Sequence, residues 1–135
     1  MKASLAPGLT AAQRFAVDER HLVPALFPDD PLLAAMPAVL ATPWLVAMVE
    51  AAAITALAPH LEPGEASVGA HMALDHTAPT PPGRTVTVSV ACTAIDGRRV
   101  TFTATANDGA ADIGAATHNR FVIDDAKFRA QLAAG

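Results

Sequence analysis

One glutamate stands in the most apolar stretch of this chain. Between Pro43 and Pro59 the sequence reads WLVAMVEAAAITALA, and Glu50 is its single charge. A carboxylate removed from water without a partner costs several kcal/mol or is driven toward its neutral form. Alanine or leucine would pack better at that position, so packing does not explain it. A salt bridge, with Arg120 as a candidate partner, or a polar contact between subunits would be a structural reason. A general base or a nucleophile tuned by its surroundings is the chemical one, and it is the stronger reading.

Other residue types offer weaker signals. Thr42 directly precedes Pro43, the pattern of a helix N-cap with a first-turn proline, which by itself accounts for the threonine. The same helix start would present free N–H groups at a positive end, where a developing oxyanion could be held. His76 closes the run LDH just before the proline-rich stretch HTAPTPPG. His71 falls within a strand, and His21 and His60 fall on expected surfaces, so these read as structural; His118, in THNR, is a minor candidate. No His, Cys or Asp group has metal-ligand spacing, so no metal is expected. With no G-x-S-x-G, phosphate loop or dinucleotide fingerprint, no cofactor is expected either.

The elements that must position these residues follow from periodicity. Residues 1–11 read as a flexible tail, and Arg14 to Val23 as an edge strand. Four prolines between Pro24 and Pro37 impose a loop with a short turn from Pro31 to Met36. The helix after Thr42 is apolar almost all round, so it should be buried on nearly every side. Beyond the turn Leu61 to Glu65 the pattern switches to alternation. Strands are expected at Ala66 to Asp75, Thr85 to Ala94, Arg99 to Ala106 and Asp112 to Ile123, with hairpin signals at Asp96-Gly97 and Asp108-Gly109. This order predicts an α+β fold: a long central helix wrapped by a curved antiparallel sheet of about five strands, in one domain over residues 12–130.

Composition narrows the class. The chain has 135 residues, 52% hydrophobic and 16% charged, enough for one well-packed core. A net charge of -4 disfavours nucleic-acid binding, which needs a basic face. Cys92 is the single cysteine, lies in an alternating Val/Thr run, and reads as a buried structural thiol. The apolar run from Trp44 to Ala58 falls short of the roughly 18 residues that a membrane span needs. No signal peptide is read at the N-terminus, so a cytoplasmic location is expected.

Three segments together, TPWLVAMVEAA, LEPGEASVGAHMALDHTAPTPPGRTVTV and DGRRVTFTATANDGAADIGAATHNRFVI, resemble the fluoroacetyl-CoA thioesterase-like family of hotdog-fold proteins. The H-T-A-x-T-P-P-G stretch and the LEPGE turn carry most of the specificity. The resemblance implies a hotdog fold, a homodimer, and hydrolysis of a short acyl-CoA thioester without a cofactor. It also implies a catalytic set of Thr42, Glu50 and His76, with Gly69 and Arg120 lining the acyl pocket. Glu50 would then attack the thioester carbonyl or activate a water, and His76 would assist proton transfer. In that family a lid before the helix carries phenylalanines. Here the segment is PLLAAMPAVLA, where Leu33 and Met36 would take that place, a softer cover that should discriminate fluoroacetyl from acetyl less well. Arg84, Arg98, Arg99 and Lys127 are candidate cations for the CoA phosphates.

One constraint is geometric. Eight helical residues separate Thr42 from Glu50, a rise of about 12 Å, so the two cannot easily meet within one helix. A two-fold dimer with antiparallel helices would bring Thr42 of one subunit toward Glu50 of the other. Two rival functions fit the same residues: a non-catalytic acyl-CoA or small apolar ligand carrier, and an enoyl-CoA hydratase using an Asp/His pair. Asp75-His76 suits the latter poorly, because strand neighbours point to opposite faces.

Overall fold

The computed structural model describes residues 1–135. Five antiparallel strands form one sheet in the order β1-β3-β4-β5-β2: β1 Thr10–Ala16, β2 Glu65–His76, β3 Thr85–Asp96, β4 Arg99–Asn107 and β5 Asp112–Asp124. A four-residue helix, α1 (Pro31–Ala34), precedes the central helix α2 (Thr42–Leu57), and α3 (Asp125–Ala133) closes the chain. The expected α+β architecture is therefore the observed one.

Alternation explains the sheet's inner face. Val86, Val88, Val90 and Cys92 of β3, Val100, Phe102, Ala104 and Ala106 of β4, and Ala116 and Val122 of β5 are buried, and Ile113 is buried where the β4–β5 register shifts. Against them α2 lays Leu45, Met48, Val49, Ala52, Ala53, Ala56 and Leu57, spaced three or four apart on one side of the helix. The opposite side differs from expectation. Pro43, Ala47 and Ile54 are exposed and Ala51 is half-buried, so an apolar helix face stands open in the single chain. Beside it, β2 pairs only with β5, leaving its other edge with free backbone donors and acceptors.

Several local expectations shift for identifiable reasons. The first strand runs over Thr10–Ala16, earlier than Arg14 to Val23, because Asp18 starts a capped turn at Glu19–His21. That turn buries His21, not the surface residue expected, edge-on against Trp44 with ring centroids 4.7 Å apart. Residues 1–9 are mostly exposed but tied to the fold at several points: Leu5 lies in the core, the Lys2 and Gly8 N–H groups donate to the His60 and Cys92 carbonyls, and the Met1 amino group pairs with Glu65. That pairing, with the Glu62 N–H and Arg98, holds the Glu65 carboxyl down at about 2. Counted with its final turn, the central helix spans 19 residues, Thr42–His60, so by length and composition it could cross a membrane, contrary to the sequence estimate. In the fold it is a core helix, packed against β1, β2, β3 and β5.

The start of α2 is held by the proline-rich bend after His76. The Leu40 N–H donates to the Thr80 carbonyl at 2.8 Å. Thr80 is fully buried, and its hydroxyl donates to Asp108 at 2.9 Å. Burial would raise the Asp108 carboxyl, but the Ala110 and Ala111 N–H groups, Thr80 and Arg84 outweigh it and hold the group below its usual range. Gly114 completes the junction. A Cβ there would lie 2.8 Å from the Asp75 carbonyl oxygen and 3.0 Å from Leu45 Cδ2. Even one methyl group would push β2, β5 and α2 apart where His76 is paired with Gly114.

Candidate active site

Thr42 is the first residue of α2, and Ala41 occupies the N-cap position, without a side-chain cap. The threonine is thus not explained by capping. Its hydroxyl instead shares a 2.8 Å hydrogen bond with His76 Nδ1. His76 Nε2 is buried and has no partner. A cleft of about 290 Å³ opens beside the pair, lined by Val23, Val39, Leu40, Thr77, Ala78 and Pro79. The expected ring of free N–H groups is thinner than the sequence suggested. Pro43 has none, and the Trp44 and Leu45 N–H groups donate to Ala41, leaving that of Thr42.

Glu50 lies further along α2, facing β2 and β5. Its Oε2 is 3.6 Å from Arg120 NH1, a charge pair without a direct hydrogen bond. The Glu50 side chain is 46% exposed, whereas that of Arg120 is 3% exposed. The carboxylate thus sits at the rim of the oily interior, not inside it, in a shallow position bounded by Gly69. A Cβ on Gly69 would fall 2.9 Å from Glu50 Oε2 and 3.5 Å from Arg120 NH1. The glycine is what lets the carboxylate approach the strand. Because the obstructed atom ends a flexible, half-exposed side chain, Gly69→Ala should leave the thermal midpoint within about 2 °C, a surface-sized effect. Turnover should still fall at least about tenfold, since the carboxylate is turned away from Arg120. Paired thermal melts and kinetics check this.

Gly69 and His76 are seven residues apart, an odd spacing that in a regular strand places them on opposite faces. A bulge resolves this. Gly69 stands opposite Arg120 and His71 opposite Asn119, so Ala70 is the extra residue. Beyond the bulge Met72, Leu74 and His76 continue on the face of Gly69, while Asp75 turns outward, as expected for a neighbour of His76.

Arg120 is anchored by three hydrogen bonds. Nε donates to Ser67 Oγ and NH2 to the Ser67 carbonyl, each at 2.8 Å, and NH1 donates to His118 Nε2 at 3.3 Å. Burial lowers the affinity of the guanidinium for its proton, and Glu50 opposes that shift. Burial likewise pushes the His118 imidazole below its usual range.

The residues named from sequence therefore form two groups on one chain: Thr42 with His76, and Glu50 with Gly69 and Arg120. Leu33 is half-buried and Met36 is 40% exposed, and neither lines the cleft beside Thr42. Sequence reading missed Ser67 and Gly114, and gave His118 little weight. His118 and Arg120 are two apart on a strand and so share a face, a signal that could have joined them.

Residues 17–126 match the family model described as fluoroacetyl-CoA-specific thioesterase, FlK. The chain belongs to this family. It is 41% identical over 132 residues to the fluoroacetyl-CoA thioesterase of Streptantibioticus cattleyicolor, covering 98% of this chain and 95% of that protein. The solved structure of the fluoroacetyl-CoA thioesterase FlK superposes with a TM-score of 0.92 at 40% identity, covering 97% of each chain. A thioesterase-superfamily member from Thermus thermophilus superposes with a TM-score of 0.87 at 26% identity, covering 98% of this chain and 93% of that one. The FlK-family architecture is thus a hotdog fold in which α2 is the central helix and β1 to β5 the wrapping sheet.

Proposed function

We propose that this chain hydrolyses the thioester of a short-chain acyl-CoA as a homodimer, each site joining Glu50 of one protomer to Thr42 and His76 of the other. The observation that carries the proposal is the division of the site. Glu50 and the Thr42–His76 pair are separated by eight positions of one helix, about 12 Å of rise, with Glu50 half-exposed beside the open face of α2 and Thr42 exposed at the helix start. An exposed apolar helix face next to an unpaired strand edge is a surface that a second copy would bury. The thioester chemistry is supported by family membership and by the relatives' activity.

In this mechanism Glu50 takes a proton from a water, whose oxygen bonds to the thioester carbonyl carbon while the carbonyl electrons move onto oxygen. Collapse restores the carbonyl and breaks the C–S bond. The departing CoA thiolate takes up, by way of solvent on the His76 side, the proton that Glu50 had accepted, which leaves Glu50 ionised again; Thr42 fixes the imidazole there through Nδ1. The Thr42 N–H is available to the oxyanion. Arg120, with Gly69, sets the position of the Glu50 carboxylate and walls the acyl group.

The test is a panel of acetyl-, fluoroacetyl-, longer acyl- and enoyl-CoA substrates read by thiol release. Thiol release is expected to be fastest with the short acyl groups. Without an aromatic in the segment from Pro31 to Met36, acetyl- and fluoroacetyl-CoA should have kcat/KM values within about a hundredfold of each other. Binding without release would indicate a carrier, and hydration of the enoyl ester without release would indicate a hydratase. Either result would overturn the proposal.

A further inference from the structure

His118 is 1% exposed on β5, two residues from Arg120, and no step of the proposed reaction uses it. Its partners fix its tautomer. Nδ1 lies 2.7 Å from the His71 carbonyl oxygen, which can only accept, so Nδ1 carries the proton. Nε2 then has a lone pair, and the neighbour at 3.3 Å is Arg120 NH1, which can only donate. The other N–H of NH1 is free to face Glu50 Oε2 at 3.6 Å. The His71 carbonyl lies at the β2 bulge that brings Gly69 and His76 onto one face. A single buried imidazole thus connects the bulge to the guanidinium beside Glu50.

We propose that His118 is a positioning residue: anchored through Nδ1–H on the bulge carbonyl of β2, it uses its Nε2 lone pair to aim Arg120 NH1 at the Glu50 carboxylate. The inference rests on Glu50 serving the reaction as proposed above. The groups facing His118 agree with this role. Arg120 lies on its own strand, His71 on β2 and Glu50 on α2, and burial disfavours the imidazolium that would turn Nε2 into a second donor against Arg120. Without that acceptor, Ser67 still holds Nε and NH2 and the planar guanidinium keeps NH1 near its place, but the one bond that stops NH1 tilting about those two anchors is gone.

Asparagine and glutamine separate the two ring nitrogens. Asn reaches only the Nδ1 position, whereas the Gln amide oxygen reaches that of Nε2. His118→Asn is expected to lower kcat roughly 10- to 100-fold with KM changed less. His118→Gln should stay within about threefold of wild type, a rescue that a purely structural role would not give. In an Arg120→Met background, His118→Asn should have no further effect on kcat, because it acts through the arginine. Wild-type kcat in His118→Asn, equal loss in both variants, or multiplying effects in the Arg120→Met background would overturn the inference. Should His118→Asn not fold, 15N spectra of the wild-type imidazoles at pH 7.5 decide the matter. A His118 with protonated Nδ1 and unprotonated Nε2 supports it, and any other protonation state sinks it. Glu50→Gln is assayed alongside. If it is inactive while His118→Asn is not impaired, only this inference fails; if Glu50→Gln is fully active, both fall.

Discussion

Glu50→Gln is expected to lower kcat by about 10²- to 10⁴-fold, the range lost when a positioned general base is removed. The substitution keeps size and an oxygen opposite Arg120 NH1, and removes only the capacity to take a proton. Because the Glu50 side chain is 46% exposed and its pair with Arg120 is a 3.6 Å contact, the fold should tolerate the change. Glu50→Leu is different. It leaves the buried Arg120 guanidinium without its carboxylate, and stability should fall together with activity. Measuring thiol release and thermal midpoints for both variants separates chemistry from folding. Wild-type turnover in Glu50→Gln with intact substrate binding would take the carboxylate out of the reaction.

The sequence made one part of this site conspicuous. A single charge in fifteen otherwise apolar or small residues needs a reason, and Glu50 was legible on that ground alone. Thr42 was not, because its position before Pro43 matches an N-cap. In the fold Ala41 takes the cap position, and the threonine hydroxyl is spent on His76. His76 and Gly69 were hidden by parity, since a bulge of one residue reverses the facing of everything beyond it. Nothing in the string SVGAHMALDH marks Ala70 as the extra residue. Sequence also read the central helix as buried all round, when its apolar composition reflects two different surfaces. One packs on the sheet, and the other is open in the single chain. Composition cannot tell a face covered by the chain itself from one that the chain leaves open. The N-terminal edge strand is read too late in the chain for a simpler reason: TAAQRFA is built largely from small and polar residues whose alternation is weak. The strands Thr85–Asp96 and Arg99–Asn107, by contrast, were plain, because valine, cysteine and phenylalanine alternate there with threonine and serine.

The second large effect is a recovery. Alone, Glu50→Ala and Thr42→Ala homodimers should each be strongly impaired, since every site carries a defect. In a mixed dimer with one subunit of each kind, a site shared across the two-fold axis changes the arithmetic. One of the two sites collects both substitutions, and the other receives Glu50 and Thr42 intact. A site contained within one chain gives no such rescue, because each subunit then keeps its own lesion. The predicted magnitude follows from counting sites and needs no energy estimate.

The deciding measurement is therefore turnover by the purified mixed dimer, tagged differently on each subunit and compared with both single-variant homodimers. Activity near half that of wild type per dimer is the expected result. Activity no higher than that of the two homodimers would contradict the shared site.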